Sequence, residues 1–400
     1  MYSIIQISDG GYIMVGTTES YGVGTIDFWL VKTDAKGIEQ WNRTFGGEDI
    51  EEVTSFLKTL DGGYIIAGTT RPLETGSYDM WLVKTDAEGI EQWNLTLGGE
   101  DDDTGPSIRQ ASDGGYIIAG TTGSYGAGSD DFWLIKTDPE GIEQWNRTFG
   151  GEDYDWLKSF QQTFDGGYIL GGATRSFGNG SFDFWLVKTD NNGIEQWNRT
   201  FEGKENVIAY IASSVQQTLD GGFILEGVTG STNSFDCWLV KTDTEGEEVW
   251  NRTFGYDEDN IPRSILQTPD GGYIIAGETG SEGPEPYDAW VFRTDADGHV
   301  QWETTFGGPG RGAARFLLLA PDGDVIVAGD GDLHSEQHTD FWLIKLGGNP
   351  TEPEGGDAPT DGEPVQTPGV PIDTPDIPGF SAVVAVMGLL FWVGLAGRRR

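Results

Sequence analysis

The sequence predicts an all-β fold: a seven-bladed β-propeller of four-stranded blades, the last blade lacking its outer strand. Three observations carry this. The turn Asp-Gly-Gly recurs at Asp9, Asp61, Asp113, Asp165, Asp220 and Asp270, with Asp322-Gly323-Asp324 as a seventh copy, at spacings of 50 to 55 residues. Each interval divides into four strand-like runs. The 400 residues include 62 Gly, 15 Trp and 20 Phe, a mixture of turn formers and large apolar side chains suited to many short strands. A period near 50 fits a propeller blade, whereas the coils of a β-helix are much shorter.

The unit from Ser55 to Glu100 shows the plan. Strand a is SFLKTL, strand b GYIIAGTT, strand c DMWLVKTD and strand d IEQWNLTL. Asp-Gly-Gly joins a to b, because Gly accepts a positive φ in a tight hairpin. Thr-Asp-x-x-Gly joins c to d. Its aspartates (Asp34, Asp86, Asp138, Asp190, Asp243 and Asp295) suit a turn role, accepting backbone N–H groups, ahead of metal ligation. Strands b and c are apolar on both faces, so both faces are covered. Strand d alternates Trp93 and Leu95 with Asn94 and Thr96, so it is the wetter edge. Radial sheets packed face to face, with strand a nearest the axis, meet these conditions.

Two tryptophans per unit, Trp29, Trp81, Trp133, Trp185, Trp238, Trp290 and Trp342 on strand c and Trp41, Trp93, Trp145, Trp197, Trp250 and Trp302 on strand d, are expected in the core between blades. A sugar platform is the alternative. The single cysteine, Cys237, excludes an internal disulfide and fills the slot of Phe28, Met80, Phe132 and Phe184, as a small buried hydrophobe would.

Length varies only in the b–c and d–a connections, which share one face of the disc. Binding residues ride on such loops over a rigid scaffold. Their content is acidic: Glu48-Asp49-Ile50-Glu51-Glu52, Glu100-Asp101-Asp102-Asp103, Glu152-Asp153-Tyr154-Asp155 and Asp257-Glu258-Asp259. Clustered carboxylates suit calcium. No ligand spacing recurs within these loops, so a solvated acidic surface is the simpler account. The formal charge of −41 repels nucleic acid and anionic headgroups.

Other candidate sites break the repeat. His334 and His338, with Asp332, fall in the b–c loop of blade seven and form a candidate zinc site with loose spacing. Ser-His-Asp order, a phosphate loop and a Cys-x-x-Cys pair are absent from the sequence. Sequons at Asn42, Asn94, Asn146, Asn198 and Asn251 share one strand-d position, and a sixth lies at Asn179. They mark either N-glycosylation of an outward edge or a favourable strand pattern.

Residues 1–346 form the propeller region. Residues 347–379 are an acidic stalk rich in Pro, Thr and Gly, residues 380–397 an apolar membrane span, and residues 398–400 three arginines that stay in the cytoplasm. This order places the propeller outside the cell. Strand d is missing from blade seven, and a segment like WNRTFGG upstream of Met1 is expected to supply it and close the ring; the N-terminus at Met1 shows no signal peptide, so the expectation is a truncated start that lost both.

Pro378-Gly379-Phe380, the apolar run and the basic end resemble the archaeal PGF-CTERM sorting signal over about 23 residues. That resemblance implies cleavage by an archaeosortase and lipid anchoring near Pro378-Gly379-Phe380. The repeats, with SDGGYI, DFWLVKTDAKG and EQWNRTFGG, resemble the DGG-type propeller repeats of archaeal and bacterial surface proteins across nearly all of residues 1–346. This implies fold and location, not chemistry. Asp34-Ala35-Lys36-Gly37 before Trp41 also resembles the tryptophan-docking motif of quinoprotein propellers, without its extra Thr. The expectation is a cell-surface module that binds an extracellular protein or glycan. The alternatives are a secreted enzyme, glycan-active or quinoprotein-like, and a structural component of the cell envelope.

Overall fold

A computed structural model describes residues 3–346, apart from 74–75, 180, 204–211, 232–233, 256–258, 281–286, 307–310, 321–323 and 332–339. The described residues form seven antiparallel sheets, each with its strands in chain order. Six sheets have four strands, and the seventh has three. This is the predicted seven-bladed propeller. The stalk, the apolar run and the seventh turn at Asp322 lie outside the described residues. Among the described residues no helix is long and apolar enough to cross a membrane.

Blade three shows the pattern. Its strands a to d are Asp103–Gln110, Tyr116–Thr122, Asp131–Thr137 and Glu143–Phe149. Strands b and c are buried throughout, and strand d alternates between exposed and half-buried until Phe149. Strands a lie innermost and touch one another: Thr54 Oγ1 donates to the Pro106 carbonyl at 2.6 Å, and Gln216 Nε2 to the Ile265 carbonyl at 2.8 Å. A bulge in strand a leaves Thr54, Lys158, Arg263 and Arg315 out of the ladder in their blades.

The cores lie between blades, not within them. Each consecutive pair of blades shares an apolar cluster, six in all among the described residues. Strand-c aromatics meet with tilted rings across the junctions: Phe28 and Trp81 at 4.8 Å, Phe132 and Trp185 at 4.7 Å, and Phe184 and Trp238 at 4.4 Å between ring centroids. Cys237 takes the Phe position in blade five and is fully buried, and burial pushes its thiol pKa up. Strand-d tryptophans reach the next blade. Trp93 meets the edge of Tyr116, and its Nε1 donates to the Pro139 carbonyl at 3.2 Å. A Cβ on Gly141 would lie 3.2 Å from the Trp93 ring, so that turn needs glycine both for room and for its φ of 81°.

The turns behave as their sequences require. Asp86 Oδ1 accepts the Glu88 and Ile90 amides at 3.0 and 2.8 Å, and its sister aspartates do the same. The Asp-Gly-Gly aspartates have a second task that the turn alone does not reveal. Asp61 Oδ1 accepts the Gly63 amide, while its Oδ2 receives Lys84 Nζ at 2.8 Å. Lys84 lies on strand c among apolar neighbours with a side chain only 2% exposed. Its other protons go to the Thr85 carbonyl and to Gln92 Oε1. The pair recurs as Lys32–Asp9, Lys136–Asp113, Lys188–Asp165, Lys241–Asp220 and Arg293–Asp270. The second glycine of the turn makes room: a Cβ on Gly63 would sit 2.1 Å from the Thr85 carbonyl oxygen and 2.9 Å from Lys84 Nζ.

This pair predicts an acid transition. Burial alone would raise the Asp61 carboxyl, but Lys84, Thr59 and the Gly63 amide overcome it and hold it at about 2; Asp165 behaves alike. The stabilisation is therefore complete above the ordinary carboxylate value of about 3.9 and is lost as the pH falls toward 2. Asp61→Asn is expected to cost about 1–2 kcal/mol at neutral pH, because it leaves a buried ammonium without its counter-charge. Lys84→Met is expected to cost less, since Asp61 can return to water. Urea midpoints at pH 7 and pH 3 check both, and the Asp61→Asn deficit should shrink at pH 3.

Candidate functional site

The opposite face of the disc, carrying the b–c and d–a loops, holds carboxylates that have no such partner. Strand c of blades one to three opens on an aspartate, and 24 residues later an acid stands at the start of strand a of the next blade: Asp27 with Glu51, Asp79 with Asp103, and Asp131 with Asp155. The parallel contact of Ile26 with Ile50 brings the first pair together. In the next two junctions the Asp103 amide donates to the Tyr78 carbonyl and the Asp155 amide to the Asp130 carbonyl, each at 2.6 Å. Loop amides orient the acids. Asp103 Oδ2 accepts the Gly99 amide at 3.0 Å and Ser124 Oγ at 2.7 Å, Asp155 Oδ2 accepts the Gly151 amide at 2.8 Å, and Asp131 Oδ2 accepts the Ala127 amide.

One oxygen of each acid stays without a partner: Oδ1 of Asp27, Asp79, Asp103, Asp131 and Asp155, and Oε2 of Glu51. Asp27, Glu51, Asp103, Asp131 and Asp155 are at most 3% exposed. Burial pushes Glu51 up to about 7, against its Thr70 hydrogen bond, with the charges of Asp27 and Asp49 adding to the rise. Burial likewise pushes Asp131 up to about 6, with Asp155 and Asp130 adding. The sequence showed no spacing within the loops. The recurrence lies between blades instead, from the start of one strand c to the start of the next strand a.

Above these pairs, an open groove of about 560 Å³ crosses blades two to four. Glu100, Asp101, Asp102, Asp130, Ser129 and Tyr154 line it. Asp102 Oδ1 accepts the Tyr78 amide at 2.8 Å, and the Asp101 amide donates to Ser124 Oγ at 3.1 Å, so the acidic loop is fixed rather than free. Tyr154, 39% exposed, is braced from behind. Its ring lies 5.9 Å from Trp156, which stacks on Phe182 at 4.5 Å and donates Nε1 to Asp130 Oδ2 at 2.7 Å. Arg175 lies over both Tyr154 and Phe182. Arg175 over Phe182 repeats Arg71 over Tyr78 of blade two, but the Tyr154–Trp156 pair does not repeat. Trp156 stands where the sister strands carry Glu52, Thr104 and Ile261.

A second departure lies in blades five to seven. Glu226 occupies the strand-b position of Ala67, Ala119 and Ala276, and is fully buried with neither oxygen hydrogen-bonded among the described residues. Glu278 is buried too, but Arg263 and Arg311 grip it and hold its carboxyl below the ordinary range despite burial. Arg315 pairs with Asp330 in blade seven. Arg263 reaches Glu226 only through its charge, since its guanidinium pairs with Glu278, and Glu226 is sealed from solvent.

The other predicted residues are placed as follows. Asp332, His334 and His338, and Pro378, Gly379 and Phe380, lie outside the described residues. Asn94, Asn146, Asn179, Asn198 and Asn251 are exposed, and Asn42 is half-buried. On strand d each amide nitrogen donates to the glutamate three residues before it, as in Asn94 to Glu91 at 2.7 Å and Asn251 to Glu248 at 2.6 Å. Among the described residues no group of three or more His, Cys, Asp and Glu side chains gathers as a metal centre.

No protein-family model matches the chain. The regulatory protein FlaEY of Caulobacter vibrioides is 26% identical over 155 residues, an alignment taking in 35% of this chain. The chain spans only 16% of that relative's length. Among solved structures, the polysaccharide lyase Uly1 is similar over 86% of this chain and 89% of its own, at 11% identity and a TM-score of 0.47. The β-propeller domain of the Trilobed protease from Pyrococcus furiosus is similar over 87% and 95%, at 11% identity and 0.45. YCF48, bound to a D1 peptide, is similar over 86% and 94%, at 12% identity and 0.44.

Glu226 gives the site a pH signature. Burial pushes its carboxyl up to about 8, with Arg263 pulling it back. An unfolded glutamate ionises near 4.3, so between about 4.3 and 8 the folded chain holds a proton that the unfolded chain releases. Its share of stability is complete below that range and is lost as the pH climbs through about 8. Glu226→Gln should flatten this segment of a stability–pH curve measured by urea unfolding.

Proposed function

We propose that the chain is a surface-anchored binding module whose groove, on the face of the b–c and d–a loops, takes a glycan. The observation that carries this is the non-repeating meeting of an aromatic platform with acids: Tyr154, braced by Trp156, Phe182 and Arg175, in the same groove as Glu100, Asp101, Asp102 and Asp130. A sugar ring offers an apolar C–H face and a rim of hydroxyl donors. A tyrosine ring covers the first, and fixed carboxylates accept from the second. A rigid aromatic loses little entropy on binding, which makes it an efficient anchor.

The stalk (347–379), the apolar run (380–397) and Arg398-Arg399-Arg400 support placement of the groove outside the cell. An archaeosortase-like enzyme would act near Pro378-Gly379-Phe380. Sugars on Asn94, Asn146, Asn198 and Asn251 would decorate the outer strands, at the cost of the Asn–Glu hydrogen bonds there.

Screening the purified chain against an array of neutral, amino and acidic glycans, followed by calorimetry on the best binder, tests the groove. Tyr154→Ala is expected to weaken binding at least about tenfold, or about 1.4 kcal/mol, and Asp130→Asn to weaken it as well. Tyr154→Phe should retain most of the affinity. If no glycan binds, or a bound glycan is indifferent to Tyr154→Ala, the reading fails. A peptide ligand with the same sensitivity would keep the groove and overturn the glycan.

A further inference from the structure

The uncompensated carboxylates stand out against the way this chain treats charge elsewhere. On the turn face every described Asp-Gly-Gly aspartate receives a lysine or arginine. Glu278 receives two arginines, and Asp330 receives one. The junctions between blades one and two, two and three, and three and four instead set two acids side by side. Unpaired charge in such a place is costly unless something else compensates it.

In each pair the two acids close on one glycine that follows strand d. A Cβ built on Gly46 would lie 2.0 Å from Asp27 Oδ1 and 2.6 Å from Glu51 Oε2, so the two free oxygens converge beside this glycine. On Gly98 it would lie 1.8 Å from Asp79 Oδ1 and 2.9 Å from Asp103 Oδ2, and on Gly150 it would lie 1.7 Å from Asp131 Oδ1 and 2.7 Å from Asp155 Oδ2. Glycine lets both acids come this close to the backbone in all three junctions. The loop amides already hold one oxygen of Asp103, Asp131 and Asp155, which orients the carboxylates while leaving Oδ1 unclaimed. Outer hydrogen bonds of this kind fix ligands in metal sites.

Two other junctions show how the chain proceeds without the second acid. Between blades five and six, Asn260 replaces it: a Cβ on Gly255 would lie 2.3 Å from Asp236 Oδ1 and 2.8 Å from Asn260 Nδ2. Between blades six and seven, Gly312 replaces it, and the Arg311 guanidinium enters nearby to pair with Glu278. In these two junctions an amide side chain or a glycine stands where the second acid would be.

We propose that the pairs Asp27/Glu51, Asp79/Asp103 and Asp131/Asp155 each hold one hard divalent cation of the calcium class, which ties adjacent blades together. The donors are all oxygen, which favours calcium over zinc or copper. Loop carbonyls and water would complete the shell. These sites lie at the blade junctions and are independent of the glycan reading of the groove.

The test is calcium titration of the full chain, by calorimetry and by thermal melting with and without a chelator. In millimolar calcium, wild type is expected to take up about three ions and to melt more than about 5 °C higher than in chelator. Asp131→Asn should take up one ion fewer. The triple variant Asp27→Asn/Asp79→Asn/Asp131→Asn should bind none and lose the shift. In chelator it should melt at or above wild type, because the repulsion is gone; that crossover also shows that the variant folds. Glu48→Gln/Glu152→Gln, on the exposed loops, should keep all three ions. If wild type binds no calcium, the pairs share protons and the proposal fails. If the triple variant keeps its ions, calcium sits on the outer loops and the proposal also fails.

Discussion

A four-stranded sheet that is apolar on both faces has no core of its own, so the packing of each sheet on the next is the constraint that governs this molecule. The strand-c aromatics are the centre of that packing: Phe132 lies on Trp185, and Phe184 on Trp238. The strand-d tryptophans extend it outward by covering the next blade's turn glycine. Stability in such an array is set by nearest-neighbour interfaces, so whatever strengthens or weakens a junction acts on the ring as a whole.

The junctions also dictate where charge can go. Apolar layers fill the middle of each interface, and polar groups are pushed to the two rims. At the turn rim the solution is internal. Lys84 and its sisters bury their stems in the core and lay their ammonium groups against a half-exposed aspartate and a carbonyl. At the loop rim the first residues of strands c and a converge, and in three junctions both are acids. The same architecture thus yields one rim whose charges are balanced within the chain and one where paired acids receive no counter-charge among the described residues.

Much of this was legible in the sequence, and the limit of legibility has a physical cause. The blade number, the strand limits and the turn chemistry follow from Asp-Gly-Gly, Thr-Asp-x-x-Gly and the apolar runs, because each is local. The Lys–Asp pair was visible only as a lysine misplaced in WLVKT. Its partner lies two strands away, at Asp61 for Lys84. The acid pairs escaped for a similar reason. A search within one loop finds no ligand spacing, since Asp131 and Asp155 belong to different blades and meet only when the sheets stack. The groove was legible as a face but not as a place. Trp156, which braces Tyr154, sits in a strand rather than in the variable loops where binding residues were sought.

Departures from the repeat are then the most informative residues left. A consensus unit already satisfies the structure, so a residue that breaks it and adds cost requires a separate reason. Glu226 puts a carboxyl where its sisters have alanine, in the same junction that Arg263 enters, and that region is rebuilt around internal ion pairs. Glu278 and Asp330 receive their counter-charges from within the protein, and Glu226 is sealed inside it. Trp156, Phe182 and Arg175 differ in kind. They lie at the rim rather than in the core, they brace one partly exposed tyrosine, and they border a groove of acids already fixed by backbone amides. Nothing in blade packing requires that arrangement, since blades two, three and six close their junctions with Glu52, Thr104 and Ile261 at the same position. A rigid platform that the fold does not need, on the rim whose loops vary, is where the proposed ligand would meet the chain.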